Sequence, residues 1–228
     1  MKLAILPLVR RAALAPSNTA APAAPAAARL AQAAVVLKLQ QRLQRSAATD
    51  IVLFKKNSAA AAGTVVIAWR VLRCSAGQDV EVLVPFTQQC AVRVAAVDGA
   101  MRAAPGGQLL QIASPVADQN GQTWSALVAN LFGVRNDTAA PWLEVLLYKD
   151  GRLLCRHAVL APGATALFEV LPYLHVATCC GLAEGDPIDA ATLASATRIS
   201  LLGLRSATLE LHDRAGHAQF LLGQQRFS

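Results

Sequence analysis

From Asp50 onward, short runs of β-branched and large apolar residues recur about every 8 to 15 residues. Each run is closed by Gly, Pro, Asn or Asp. Runs this short cannot nucleate stable helices, and their composition suits a pleated, half-buried surface. The spacing predicts strands at Ile51–Lys55, Thr64–Arg73, Asp79–Phe86, Ala91–Val97, Gln108–Ala113, Thr123–Val134 and Leu143–Lys149. It continues through Arg152–Val159, Ala164–Val170, Tyr173–Thr178, Arg198–Leu204, Ala207–His212 and Ala218–Leu222. Only Asp189–Ser195 reads as a short helix. So many short strands point to an all-β fold, read as an antiparallel two-sheet β-sandwich. Between Val134 and Val176 the order of turns and apolar runs has an immunoglobulin-like cadence, a likeness of architecture that implies no activity.

Two hairpins can be read to single residues. Asp150-Gly151 supplies the two positive-φ positions of a type I′ turn. Continued without interruption, that turn pairs Tyr148 with Leu153, Leu146 with Cys155 and Glu144 with His157, all on one sheet face. A second turn, through Asp213-Arg214-Ala215-Gly216, sets His212 opposite His217, Glu210 opposite Gln219 and Leu209 opposite Phe220. Its apolar face is Leu209, Leu211, Ala218, Phe220 and Leu222; its polar face is Thr208, Glu210, His212, His217 and Gln219. Such a division means one side buried and one wet.

Charge marks a boundary near the same place as the change of pattern. Lys2, Arg10, Arg11, Arg29, Lys38, Arg42 and Arg45 precede the first acid, Asp50, and account for the net charge of +7. The 14 basic residues that follow are matched by 14 acids, so the body is neutral and carries no basic stripe. Nucleic-acid binding is therefore not expected. The division is a basic, Ala/Pro-rich, low-complexity leader over 1–49 and a β-sandwich over 50–228. Residues 16–28 read as an extended Ala/Pro linker.

Within the leader, about 29–47 reads as an amphipathic helix. Val35, Val36, Leu39 and Leu43 fall in one arc of about 100°, with Lys38, Arg42 and Arg45 beside it. Such a helix is a candidate contact with an anionic membrane surface, or with the globule itself or a partner protein through its apolar stripe. The Arg-rich, acid-poor composition also resembles an organelle transit peptide, and the match to a secretory signal is poor. A detachable helix before a β body resembles the layout of actinoporin-like toxins. Those present exposed aromatics to lipid, whereas Trp69, Trp124 and Trp142 here lie in or beside apolar strands and read as core.

Cysteines number five: Cys74, Cys90, Cys155, Cys179 and Cys180. An odd count with a vicinal pair is a poor disulfide framework and favours free thiols in a reducing compartment. Cys155, His157, His175 and Cys179 form the one candidate metal set, since two Cys and two His suit tetrahedral zinc. The tight C-x₂₋₄-C knuckle of structural zinc sites is missing, and a core cysteine beside a histidine satisfied by Glu144 is the simpler expectation. For a nucleophile, Cys155 or Cys180 lacks a neighbour in sequence that would lower its pKa. Nucleotide, hydrolase and metalloprotease templates are absent too, and no cofactor is implied.

The expectation is a non-enzymatic β-sandwich acting as a protein-binding or assembly module, through self-association or a protein partner at its strand edges. The alternative is a membrane-associating or pore-forming sandwich using the leader helix.

Overall fold

The computed structural model describes residues 34–41, 49–59, 63–74, 79–85, 90–94, 101–113, 122–128, 131–139, 142–214 and 217–227. Strands dominate, in four hydrogen-bonded sheets. The first sheet has the order β17 (His217–Phe227), β16 (Leu204–Arg214), β1 (Ala34–Gln41), β5 (Asp79–Pro85). The second runs β15 (Thr197–Ser200), β14 (Tyr173–Cys179), β2 (Thr49–Phe54), β4 (Arg70–Cys74). The third runs β3 (Thr64–Val66), β12 (Arg152–Leu160), β11 (Leu143–Lys149), β6 (Cys90–Val94), β7 (Met101–Ala104). The fourth runs β13 (Thr165–Glu169), β10 (Leu131–Asn136), β8 (Gln108–Ile112), β9 (Gln122–Ala126). The all-β expectation holds, but the strands are distributed over four sheets where the cadence suggested two.

Alternation explains why these residues form strands. In β11 Leu143, Val145 and Leu147 are buried while Glu144, Leu146 and Tyr148 are half-buried, a period of two. One main cluster takes buried side chains from all four sheets, among them Leu37, Leu53, Leu147 and Phe168. A second cluster lies on the opposite face of β2 and β14, where Val52, Phe54, Ala177 and Cys179 pack under Ile188, with Leu182 and Leu193 against them. Leu193 belongs to helix α1 (Ala190–Ser195), whose N-cap Asp189 accepts a bond from the Thr192 amide. The short helix expected there is present.

Residues 34–41 correct the leader helix. They form β1, bonded parallel to β16 and antiparallel to β5. Val35, Leu37 and Leu39 are buried, Val36 is half-buried and Lys38 is exposed. Leu37, off the helical stripe, is only 1% exposed, which a strand explains and the helix did not. Central pairing gives the backbone partners on both flanks and buries three large side chains, an advantage that a moderately amphipathic helix cannot match. The amphipathic face invoked for membrane contact is therefore not formed over Ala34–Gln41, and this part of the basic segment belongs to the body. Leu43, Arg42 and Arg45, the remainder of the helix, the Ala/Pro linker and the transit-like start lie outside the described residues. Among those described, no helix is long and apolar enough to cross a membrane.

Smaller differences have local causes. The run Thr64–Arg73 divides into β3 and β4 around Ala68 and Trp69, whose amides bond to the Asp186 and Leu53 carbonyls. Thr123–Val134 divides into β9 and β10. β7 was not anticipated, since Met-Arg-Ala-Ala lacks β-branched residues. Asn136 is fully buried: its Nδ2 donates to the Leu160 carbonyl at 2.9 Å, and its Oδ1 accepts from the Thr138 amide at 3.0 Å. The Asn-Asp-Thr sequence thus closes a turn.

Candidate functional site

Position in the fold separates the Cys/His set. Cys155 faces the main cluster from β12, and burial pushes its thiol up to about 12. His157, two residues on, is buried, with Nδ1 3.5 Å from Thr64 Oγ1, and burial lowers its pKa. His175 and Cys179 lie on β14, in a different sheet. His175 stacks on Phe54 at 5.4 Å; burial lowers its pKa to about 4, with Lys56, Arg198 and Lys55 adding to the shift. Cys179 sits in the second cluster, its thiol pushed up to about 11 by burial, then by Asp50 and Cys180. Among the described residues, no three of His, Cys, Asp and Glu gather as metal ligands would. A thiolate is required for nucleophilic attack or metal binding, and both buried thiols are biased against it.

Glu144 does not satisfy His157. Tyr148 pairs with Leu153 as the turn requires, and Asp150 and Gly151 have φ of 52° and 75°. A bulge then intervenes, so that Leu147 pairs with Cys155 and Val145 with His157. One unpaired residue, Leu154, moves Glu144 and Leu146 to the opposite face from Cys155. Glu144 instead pairs with Arg156 at 2.7 Å. Trp69 is core as expected, but Trp142 is 61% exposed.

Two buried lysines escaped sequence reading. Lys55 extends the inward row Ile51, Leu53 of β2, and Lys149 ends the inward row Leu143, Val145, Leu147 of β11. Each is 4% exposed. Lys55 Nζ donates to the Tyr173 carbonyl at 2.8 Å and the Leu171 carbonyl at 3.2 Å. Burial, then the nearby Lys149 charge, lowers its pKa to about 8. Lys149 pairs with Asp150 at 3.1 Å, and its carbonyl accepts from Trp69 Nε1 at 3.3 Å. The strand parity of both lysines was the available signal. Their arrangement is structural: the Lys55 donors are committed to carbonyls at the margin of the core.

The β5-β1-β16-β17 sheet presents a polar outer face. Across it, Asp79, Gln40, Glu210 and Leu221 are successive neighbours, as are Glu81, Lys38 and Thr208. Lys38 pairs with Asp79 at 2.8 Å, and His212 Nε2 lies 2.9 Å from Glu210 Oε2. Val36, Lys38, Glu81, Thr208 and Arg226 line a shallow groove of about 390 Å³. Val36 and Lys38 are thus the contact candidates left accessible on β1, whereas Val35 and Leu39 are buried.

At one side of this face is the edge strand β17. The second hairpin is longer than expected: Arg214 pairs with His217 and His212 with Gln219, two residues beyond the anticipated register. A shift of two preserves the faces, so Leu209, Leu211 and Phe220 are buried while Glu210 and Gln219 remain on the wet side. Leu221 is an apolar exception on that side, 46% exposed.

Among the described residues, the other sheet edges apart from β9 are short, charged or covered. β13 is capped by Asn57, whose Nδ2 donates to the Leu167 carbonyl and whose Oδ1 accepts from the Glu169 amide. β3 has three residues, and the Val66 carbonyl beside its end accepts from the Ile188 amide. β7 and β15 have four residues each and carry Arg102 and Arg198. β4 carries Arg70 and Arg73, β9 has five residues, and β5 carries Asp79 and Glu81 and ends at Pro85. β17 spans 11 residues with one formal charge, Arg226 near its end. The C-terminal half of the strand is irregular, with Gln224 at φ 44°, which leaves His217–Leu222 as a regular, unblunted edge.

Compared with known protein families, curated proteins and solved structures, the chain matches none.

Proposed function

We propose that this chain is a non-enzymatic protein-binding or assembly module that engages its partner along β17, an edge strand among the described residues. The observation that supports this reading is the contrast among edges. An unpaired strand exposes a row of backbone N–H and C=O groups, and proteins ordinarily blunt it with charge, proline, shortness or a cover. Among the described edges all but β9 carry such a device, and β9 offers five residues against the eleven of β17, whose stretch His217–Leu222 carries no device. Addition of a strand there supplies main-chain bonds for affinity, with flanking side chains giving specificity. On the same reading, the four sheets act as two packed layers of a sandwich, in keeping with the single main cluster to which all four contribute.

Site-specific photo-crosslinking in the producing cells tests the edge. A photoreactive residue replacing Gln219 is expected to give a discrete protein adduct, and one replacing Arg102 on the short β7 edge is not. Absence of an adduct at 219, or equal adducts at both positions, overturns the reading.

A further inference from the structure

We infer that the strand added to β17 is β17 of a second copy, antiparallel about a two-fold axis at Phe220. This deepens the edge reading and rests on it. The regular edge runs from His217 to Leu222 and is interrupted beyond it by Gly223 and the left-handed Gln224. A two-fold at Phe220 sets residues 218–222 of the two copies opposite one another, all before the irregularity. A two-fold at Gln219 would pair 217–221 over the same length and leave Leu222 without an opposite residue in the regular edge. Opposite residues in an antiparallel pair share a face. Phe220 therefore meets its symmetry mate and Leu222 meets Ala218 on the core side, while Leu221 meets Gln219 on the wet side.

Two of these pairings cover side chains that the single chain leaves exposed or half-buried among the described residues. Leu222 is half-buried although it shares the inward face with buried Phe220, and among the described strands none pairs with β17 on the side away from β16. Ala218 is exposed on that same face. On the other face Leu221 is the exposed apolar side chain in the row Asp79, Gln40, Glu210. The charge pattern also favours a second copy. Arg226 is the only formal charge in β17, and the two-fold carries the two arginines to opposite ends of the paired strands, so no like charges oppose. Isologous two-fold contacts are self-complementary by construction, and here both cores fall on the same side of one continuous eight-stranded sheet.

Sedimentation of the full-length chain tests this directly. The wild type is expected to double its mass between about 1 and 100 µM, a range typical of modest interfaces. Leu221→Lys, at an exposed position, is expected to weaken the dimer at least tenfold. Leu83→Lys, on the opposite edge strand, is expected to leave it unchanged. Register is read in a Cys180→Ser background under oxidised glutathione. A Gln219→Cys chain mixed with a Leu221→Cys chain should give a disulfide-linked heterodimer, with little product from either alone. A chain monomeric at 100 µM overturns the inference, as does a dimer indifferent to Leu221→Lys. Dominant homodimer from Leu221→Cys alone overturns the two-fold at Phe220. If the purified chain is monomeric yet the residue-219 crosslink captures a different protein, the edge reading stands and only the second copy fails.

Discussion

Hairpin β11–β12 lies inside a five-stranded sheet, flanked by β6 and β3, whereas β16–β17 ends its sheet, with no described strand beyond β17. Both carry an alternating apolar row, yet burial follows the neighbours rather than the residue type. In β11 the inward row is buried to its last member, a lysine. In β17 Phe220 is buried, Leu222 on the same row is half-buried, and Leu221 is exposed. Alternation therefore predicts which way a side chain points. Neighbouring strands, together with the packing of the face it points to, set how fully water leaves it.

Truncation of an inward leucine of β11 and an outward leucine of β17 tests this comparison most directly. Leu147→Ala removes a side chain that is 1% exposed within the main cluster, and is expected to cost about 2–5 kcal/mol. Leu221→Ala is expected to stay within about 0.5 kcal/mol in denaturant melts run at low micromolar concentration, where the monomer is read. Equal costs would mean that Leu221 is covered in the monomer as fully as Leu147.

The two hairpins also differ in how they hold charge. Glu210 and His212 meet in water on β16, a pairing worth at most about 1 kcal/mol. The end of β11 instead places Lys149 near Lys55. Lys55 has an ordinary value of 10.5 and is lowered to about 8 in the folded chain. Between those values the unfolded chain binds the proton and the folded chain does not, so the Lys55 contribution to stability rises with pH. The neutral amine keeps two N–H groups, enough for the Leu171 and Tyr173 carbonyls. Relative to Lys55→Met, the wild type is expected to gain up to about 3 kcal/mol from pH 8 to 10.5. Buried cysteines oppose this in both proteins, because their raised pKa values lower stability as pH climbs past 9. The difference between the two pH–stability curves isolates the lysine, and parallel curves would remove its burial from the account.

Much of the β body was legible because turn residues and alternation act locally. Leu143–Lys149 was read with the bounds observed, and the short helix read over Asp189–Ser195 is present as Ala190–Ser195. Reading failed where distant neighbours decide. Val35, Val36 and Leu39 fit a helical arc, but β5 and β16 supply partners far away in sequence that make Ala34–Gln41 a central strand. Charge balance marked residue 49 as a boundary because Lys38 counts as basic wherever it sits. As for the site, the Cys/His residues were near in sequence pattern only, and β12 and β14 carry them to different sheets. The open β17 edge was foreseen only as a class, since which strand lacks a neighbour depends on the complete strand order.

The turn itself gives the smallest effect and shows how far local instruction reaches. Gly151 has φ 75°, and a Cβ built there meets nothing within 4 Å. Gly151→Ala therefore pays only the left-handed backbone cost, roughly 1–2 kcal/mol, or about 2–8 °C in melting temperature. The turn holds Lys149 opposite Arg152 and Tyr148 opposite Leu153, and the bulge at Leu154 ends its influence. Beyond that point the register is held by burial of Cys155 and by β6 on the far side of β11. Amide exchange is thus expected to quicken at the Asp150-Gly151 end in this variant while Val145 and Leu147 keep the wild-type free energy of opening, less the global loss. Selective exposure of Val145 and Leu147 would instead assign the register of the whole hairpin to its turn, and the contrast with β16–β17 would then rest on turn chemistry rather than on flanking strands.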